Sequence, residues 1–329
     1  MAILKVSDLV VEFHTDEGIV RAVDRLNFEL EAGEVLGIVG ESGSGKSVSC
    51  LTLMGLLPVP PAKIQSGRIL FGDQDLLRYS QTKMRKIRGH EISMIFQDPF
   101  TCLNPYLKIS TQLMEVMEFH SKKTPTEARR RCIEVLEQLG IPDPELRFNS
   151  YPHQLSGGLK QRIMIAMSLL LRPKILIADE PTTALDVTIQ AQILDLLKQI
   201  NKDHGTSIIL ITHDMGVVAG LCDRVQVMYG GRLAERGSSD DIFYRTRHPY
   251  TVGLLHSIPS LTVKPGDRLD PIPGAPPDLT QVGDFCAFAE RCDFAQEDCR
   301  KHRPPVSQSN KDGSHWYECY HPVSGEQNA

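Results

Sequence analysis

The chain has 329 residues, of which 41% are hydrophobic, and a formal net charge of -5 at pH 7. This length allows a full hydrophobic core, so we expect one large domain with a smaller addition. The acidic balance argues against a nucleic-acid partner. The sequence shows no signal-peptide pattern at its start and no apolar run near the roughly 18–20 residues that span a bilayer, so we expect a cytosolic protein with reduced cysteines.

Two extended stretches open the chain, at residues 4–13 and 19–30. Both are rich in β-branched and apolar residues and a polar turn separates them, which predicts an antiparallel pair of strands. Phe13 ends the first stretch, a position from which its ring can stack on adenine. A plain core phenylalanine fits the same pattern, so both interpretations stand.

The next stretch fits the phosphate-binding pattern G-x-x-x-x-G-K-[ST] and follows an apolar strand at residues 35–39. Its members are Gly40, Glu41, Ser42, Gly43, Ser44, Gly45, Lys46 and Ser47. Glycines let backbone N–H groups face a phosphate chain, and a side chain at Gly43 or Gly45 would block its approach. Lys46 would offer charge to the β and γ phosphates, and Ser47 a hydroxyl to Mg²⁺. We therefore predict a nucleoside triphosphate site.

A short apolar strand at residues 92–96 ends in the polar Gln97. A glutamine at a strand end can ligate Mg²⁺ or hold a water, and it can also simply cap the strand.

From residue 101 to 155 the apolar spacing becomes helical, with helices expected at 111–120 and 127–139. This part is predicted to be a helical subdomain inserted into an α/β core.

Ser156, Gly157 and Gly158 precede an apolar helix expected at 163–171. A serine hydroxyl and open backbone N–H groups at the positive end of a helix suit an anion. A glycine cap of the helix is the alternative interpretation.

A hydrophobic strand at residues 175–178 ends in Asp179 and Glu180. These adjoining carboxylates suit different tasks, Asp179 in the Mg²⁺ shell and Glu180 as the general base on the attacking water. Further on, Asp186 leads into a helix and His213 follows the next strand. A lone histidine at a strand end is more often a surface residue than a catalytic one.

In this order the motifs resemble those of the ABC-type ATPases, over about residues 4–257. The resemblance implies an α/β fold: a P-loop ABC-type nucleotide-binding domain with a RecA-like core, an antiparallel β subdomain and an inserted helical subdomain, followed by a small Cys-rich C-terminal extension. It also implies two subunits that face head to tail with ATP between them. The implied roles are contact with the partner's γ-phosphate for Ser156, Gly157 and Gly158, nucleotide sensing for Gln97 and His213, and a place at the dimer seam for Asp186.

Longer sequence segments resemble one particular group within this family. Residues 94–99, 103–105, 151–158, 178–188 and 248–251 are similar to the D-type ATP-binding subunits of bacterial oligopeptide and dipeptide permeases. The implied function is ATP-driven uptake of oligopeptides or dipeptides by an importer, with this translocase subunit peripheral on the cytoplasmic face of the bacterial inner membrane. The implied partners are a second homologous ABC ATPase in a heterodimer, two transmembrane permease subunits and, indirectly, an extracytoplasmic peptide-binding protein, with no nucleic acid. The alternative is a soluble ABC ATPase acting on nucleic acid or ribosomes.

The C-terminal part changes composition. We divide the chain into an ATPase domain (1–257, with the helical subdomain near 98–160), a Pro-rich linker (258–285) and a Cys-rich tail (286–329). Because the tail is poor in core-forming runs, we expect it to need a staple.

The tail holds four of the eight cysteines, Cys286, Cys292, Cys299 and Cys319. Four thiolates in a reduced compartment suit a tetrahedral Zn²⁺ site or an iron–sulfur cluster, and scattered buried thiols are the alternative. The peptide-permease resemblance implies a [4Fe-4S] cluster rather than zinc, and His321 is a spare ligand candidate. The remaining cysteines are predicted to pack inside the ATPase domain: Cys50, Cys102, Cys132 and Cys222.

Overall fold

The computed structural model describes residues 2–98, 102–182, 186–257, 272–281, 283–310 and 313–323. Residues 99–101, residues 183–185, and residues 258–271 and 282 of the predicted linker lie outside these ranges. The chain forms two compact units. The first unit takes in the residues up to 31, residues 35–78 and those from 210 onward, and the second takes in residues 32–34 and 79–209.

The strands, in chain order, are β1 (Ala2–Thr15), β2 (Gly18–Glu31), β3 (Val35–Val39), β4 (Ala62–Phe71), β5 (Gln74–Asp75), β6 (Ile92–Ile95), β7 (Ile175–Asp179), β8 (Ser207–Thr212), β9 (Arg224–Tyr229), β10 (Arg232–Ser238), β11 (Val306–Gln308) and β12 (Trp316–Glu318). The helices are α1 (Lys46–Leu53), α2 (Gln81–Ile87), α3 (Ile109–His120), α4 (Pro125–Gln138), α5 (Pro144–Phe148), α6 (Gly157–Leu169), α7 (Val187–His204), α8 (Met215–Leu221), α9 (Ser239–Tyr244), α10 (Pro249–His256) and α11 (Glu297–Lys301). Within the described ranges, no helix combines the length and hydrophobicity that crossing a membrane requires.

The predicted antiparallel pair at the start of the chain is confirmed. β1 pairs antiparallel with β2, Val6 lying opposite Phe28, and the sheet continues in the order β2-β1-β4-β5. Leu4 and Leu9 are fully buried, so this sheet has a packed face. The strands run further than the sequence pattern indicated because polar end residues such as Thr15 still find ladder partners.

A second sheet in the first unit carries the strand before the phosphate loop. Its strands lie in the order β11-β12-β10-β9-β3. β3 is buried at all five residues and pairs in parallel with β9, Ile38 lying opposite Gln226. A parallel strand covered on both faces has a continuous hydrophobic sequence, which is the pattern of residues 35–39. The phosphate loop begins directly at the carboxyl end of β3.

The second unit contains the predicted helices. β6 pairs in parallel with β7, and α3 and α4 pack together and against α6. α4 begins at Pro125, two residues before the predicted start, because Thr124 and Glu127 form a capping box: the Glu127 carboxylate accepts the Thr124 N–H at 2.8 Å. The boundaries of the helical subdomain and the division of the chain into three parts stay predictions.

The C-terminal tail is held on the first unit by its own strands and side chains. β12 pairs antiparallel with β10, and Trp316 of β12 is buried with the Arg236 guanidinium 5.0 Å from its ring centroid. Arg303 binds both carboxylate oxygens of Glu318 at 2.9 and 3.0 Å, and His315 lies 2.8 Å from the buried Glu235. Strand pairing and ion pairs therefore attach the tail, which was expected to need an additional cross-link because it has few core-forming residues.

Candidate nucleotide site

The phosphate loop depends on two glycines for space. Gly40 has φ 149°, and a Cβ there would lie 2.2 Å from the Met228 carbonyl oxygen. Gly45 has φ 97°, and a Cβ would lie 2.3 Å from the Ala22 carbonyl oxygen. Gly43 has φ 78°, but a Cβ would meet nothing within 4 Å. The structure therefore explains Gly43 by its left-handed backbone rather than by crowding within the chain.

Lys46 lies folded onto the loop that it follows. Its Nζ donates to the carbonyl oxygens of Gly40 and Glu41, both at 2.7 Å, and to the Ser44 hydroxyl at 3.2 Å. Lys46 is the first residue of α1, whose N-cap is Gly45, and the half-buried Ser47 follows it. A buried cation and the positive end of a helix thus share one short segment, an arrangement that suits phosphate.

Glu41 of the loop has partners that no sequence pattern predicts. Its backbone N–H donates to the Tyr250 hydroxyl at 2.8 Å, and its carboxylate pairs with Arg291 at 2.6 and 3.0 Å. Arg291 lies in the Cys-rich tail, 250 positions along the chain. No local pattern connects residues so far apart, so this contact could not be predicted from the sequence.

Two acidic residues at the end of β7 have different surroundings in the second unit. Asp179 is 6% exposed, so its carboxylate is buried at the end of β7. Glu180 is half-buried with φ 46°, a backbone conformation that side chains other than glycine rarely adopt. Its Oε2 accepts a hydrogen bond from Gln97 Nε2 at 2.9 Å. The structure thus brings together the predicted sensor Gln97 and the predicted base Glu180.

The Ser-Gly-Gly segment starts α6. Ser156 is exposed, and its hydroxyl accepts the Leu159 N–H at 3.4 Å as the helix N-cap. A Cβ at Gly158 would lie 3.2 Å from Ile189, so this glycine allows close packing against α7. Asp186 is exposed and caps α7 by accepting the Ile189 N–H at 3.0 Å. Helix capping therefore accounts for part of the role of Ser156 and Asp186.

The two other predicted nucleotide contacts lie in the first unit with the phosphate loop. His213 is exposed just after β8, and Phe13 is half-buried on β1 opposite Val20 and Ala62. A half-buried ring remains compatible with both interpretations of Phe13. The residues in the second unit are Gln97, Ser156, Gly157, Gly158, Asp179, Glu180 and Asp186.

The cysteines outside the tail are mostly buried, as predicted: Cys50, Cys132 and Cys222. Cys102 is exposed, so the prediction that it packs in the core is wrong. It lies in a surface segment just before α3, where a small apolar residue has no burial requirement.

Two family models match this chain. The model described as ABC transporter matches residues 23–183, and the model described as oligopeptide/dipeptide transporter, C-terminal region, matches residues 234–299. The second match covers Tyr250 and Arg291, the residues that hold Glu41 of the phosphate loop.

Curated relatives cover nearly the whole chain. The oligopeptide transport ATP-binding protein OppD of Bacillus subtilis is 52% identical over 304 residues, 92% of this chain and 85% of that protein. The dipeptide transport ATP-binding protein DppD of Bacillus subtilis is 52% identical over 318 residues, 97% and 94% of the two chains. OppD of Escherichia coli is 49% identical over 311 residues, 93% and 90%.

Solved structures share the fold. An ATP-binding cassette solved as a dimer in a post-hydrolysis state with ADP and Pi has a TM-score of 0.64 and 27% identity, covering 72% of this chain and 98% of that one. CbiO1 of Clostridium perfringens, part of an ABC transporter complex, has a TM-score of 0.62 and 34% identity, covering 74% and 90%. The predicted ABC cassette fold is confirmed, and the nucleic-acid alternative receives no support.

These findings contradict the predicted [4Fe-4S] cluster. The matching models and relatives are described as ABC transporters and transport ATP-binding proteins. In the described part of the chain, the group of ligand-type atoms within 4.8 Å of one another belongs to Asp298, Cys299 and His321, and so includes one cysteine of the four. The zinc alternative is untested and stays a prediction.

The nucleotide site, the fold and the relatives agree on one family. The chain has a cassette fold that carries the phosphate loop, the hydrogen-bonded pair Gln97 and Glu180, and the helix-capping Ser156. Its curated relatives are about half identical to it over about nine tenths of its length. The chain therefore belongs to the ABC transporter family, in the branch that carries the oligopeptide/dipeptide transporter C-terminal region, and it is an ATPase.

Proposed function

We propose that this chain is the D-type ATP-hydrolysing subunit of an importer for oligopeptides or dipeptides. One observation carries the proposal: a single chain joins the ABC cassette to the oligopeptide/dipeptide C-terminal region, with 52% identity to both oligopeptide and dipeptide transport ATP-binding proteins. We further propose a peripheral place on the cytoplasmic face of the bacterial inner membrane, next to transmembrane permease subunits.

The phosphate loop would bind the triphosphate of ATP. The backbone N–H groups of residues 40–47 and the start of α1 would surround the phosphates, and Lys46 would exchange its bonds to loop carbonyls for bonds to phosphate oxygens. Stacking of adenine on Phe13 belongs to the same proposal.

Mg²⁺ would be held by Ser47, Gln97 and Asp179, whose hydroxyl, amide and carboxylate oxygens are the hard donors that this ion prefers. When bound, it supplies positive charge that offsets the charge on the transferring phosphoryl group.

Hydrolysis would use Glu180 as the base. Its carboxylate would take the proton of the attacking water while the oxygen of that water bonds to the γ-phosphorus and the bond to the β-phosphate oxygen breaks, giving ADP and phosphate. The Gln97 bond at 2.9 Å orients Glu180, and His213 would act as a second sensor of the γ-phosphate.

A second homologous ATPase subunit would complete each site. The exposed Ser156, with Gly157 and Gly158, would contact the γ-phosphate held by the partner subunit, and Asp186 would lie at the seam. Ser156 begins a helix of 13 residues, so its backbone N–H groups and the helix dipole suit an added phosphate charge.

A groove in the second unit would receive a short helix of a permease subunit. Its volume is about 560 Å³, and its apolar lining includes Phe96, Leu107, Val116, Phe119 and Met164. Phe119 is 64% exposed and Phe96 is 37% exposed, which is unusual for large apolar side chains without a partner. Phe96 directly precedes Gln97, so a helix in this groove would be linked to the state of the nucleotide.

The test is peptide uptake by the assembled importer. We would reconstitute this chain with its partner ATPase, permease subunits and binding protein in liposomes, and measure ATP-dependent entry of labelled dipeptides and longer peptides. We expect entry that stops with Glu180→Gln. An assembled complex that hydrolyses ATP but transports neither class of peptide would refute the import proposal.

The groove is tested by two matched substitutions. Phe119→Asp should abolish co-purification with the permease subunits and leave MgATP binding unchanged, because it places a charge in the apolar groove. Leu146→Asp is the control, since Leu146 is 59% exposed on α5 and lies outside the groove lining. Equal co-purification of both variants would argue against this docking site.

A further inference from the structure

Glu41 is an unexpected residue in a loop that binds phosphate. It carries the negative charge among residues 40–47, where Lys46 carries the positive one. A carboxylate beside a triphosphate disfavours binding by like-charge repulsion, and a carboxylate beside Lys46 competes with the phosphate for that cation. The loop therefore needs a way to neutralise Glu41.

The Arg291 guanidinium neutralises the Glu41 carboxylate through a largely buried ion pair. Its Nη1 lies 2.6 Å from Oε2 of Glu41 and its Nη2 lies 3.0 Å from Oε1, a two-point pairing that fits the planar guanidinium. The Arg291 side chain is 6% exposed, and three further acceptors fix it. They are the Tyr229 hydroxyl at 3.2 Å and the carbonyl oxygens of Ile272 at 3.2 Å and Pro273 at 2.8 Å.

The backbone of Glu41 is also held from the C-terminal region. The buried Tyr250 hydroxyl accepts its N–H at 2.8 Å, and Lys46 Nζ donates to its carbonyl oxygen at 2.7 Å. Tyr250 packs against Phe288 with ring centroids 5.3 Å apart, and Phe288 also contacts the Tyr229 ring. All of these residues belong to the first unit.

We propose that Arg291 is a positioning residue for nucleotide binding: it holds the Glu41 carboxylate away from the phosphates and from Lys46. The C-terminal region thereby sets the affinity of the phosphate loop for nucleoside triphosphates. This inference rests on the ATP-binding role proposed above. Without Arg291, the Glu41 carboxylate turns toward Lys46, whose Nζ already lies 2.7 Å from the Glu41 carbonyl oxygen.

A purely structural ion pair makes a different prediction. If Arg291 only held the tail in place, its loss would lower stability and affect all nucleotides alike, and no change at Glu41 would reverse it. If Arg291 neutralises Glu41, removing the charge of Glu41 restores binding. The defect also grows with the charge of the ligand, so it is larger for MgATP than for MgADP.

The experiment compares four variants of the full-length chain by calorimetric titration with MgATP and MgADP. They are Arg291→Gln, Glu41→Gln, the double variant and the control Lys301→Gln, which changes an exposed residue of the same tail. We expect Arg291→Gln to weaken MgATP binding about tenfold, as for loss of one charge-assisted contact, and MgADP binding less. The double variant should return to within about threefold of the wild-type affinity, and Lys301→Gln should bind like the wild type.

Three outcomes overturn the inference: wild-type MgATP affinity in Arg291→Gln, equal losses for MgATP and MgADP, or a loss that Glu41→Gln does not reverse. If Arg291→Gln does not fold, Arg291→Lys replaces it, because it keeps the charge and loses the two-point fork. Its smaller loss must again be reversed by Glu41→Gln. Failure of the proposed function is separate, since it would appear as absent peptide uptake or absent MgATP binding in the wild-type protein.

Discussion

Gly45→Ala tests how the phosphate loop is built. The substitution places a methyl group 2.3 Å from the Ala22 carbonyl oxygen, far inside van der Waals contact, and at φ 97°. Both the close approach and the backbone conformation oppose it, so the loop has to move. We expect MgATP binding to be lost because the loop and the start of α1 move together.

The size of the effect follows from comparison with Gly33. Gly33 also has a positive φ, 76°, but a Cβ there meets nothing within 4 Å. Gly33→Ala therefore carries the left-handed backbone cost alone, about 1–2 kcal/mol. Gly45→Ala adds overlap with a backbone carbonyl, for which about 1–3 kcal/mol more is typical. The difference between the two variants isolates the contact with Ala22.

The assay is denaturant unfolding of both variants together with MgATP titration. Gly33→Ala should bind MgATP like the wild type and lose only the backbone cost in its free energy of unfolding. Gly45→Ala should bind MgATP weakly or not at all and lose more stability than Gly33→Ala. Equal stability losses, or normal MgATP affinity in Gly45→Ala, would refute the reasoning.

Three further changes test the catalytic groups and a buried histidine. Glu180→Gln should keep MgATP binding and lower ATP turnover of the assembled complex about 10²–10⁴-fold, and unchanged turnover would remove Glu180 from the base role. Lys46→Ala should weaken MgATP binding by about 1.5–3 kcal/mol, which titration measures, and near-native affinity would contradict its phosphate contact. Burial lowers the pKa of His248 to about 4, against the opposing Glu235 charge, so folding favours the neutral ring. The contribution of the neutral ring to the free energy of unfolding should therefore be fully present above about pH 6.5. The free energy of unfolding should fall by on the order of 3 kcal/mol as the pH drops to about 4. Unfolding curves measured across this range should lose this pH dependence in His248→Gln and keep it in His90→Gln.

The sequence by itself determined the parts of the protein that local patterns encode. Hydrophobic runs at residues 35–39 and 175–178 are buried strands, because a strand covered on both faces needs apolar residues at every position. The glycines, lysine and serine of residues 40–47 indicated a phosphate loop, because their spacing is set by the backbone of one short turn. The order of the motifs was sufficient to indicate the ABC cassette.

Only the tertiary structure decided which distant residues meet. Arg291 binds Glu41 across 250 positions, and Gln97 binds Glu180 across 83, and no periodicity in the chain encodes either pair. Local patterns also misled the prediction for the tail, where four cysteines, together with the resemblance to peptide permeases, suggested a [4Fe-4S] cluster. The contacts that hold the tail, which are the pairing of β12 with β10 and the burial of Trp316, depend on partners elsewhere in the sequence. Local spacing fixes backbone conformation, but packing and charge pairing depend on which surfaces the folded chain brings together.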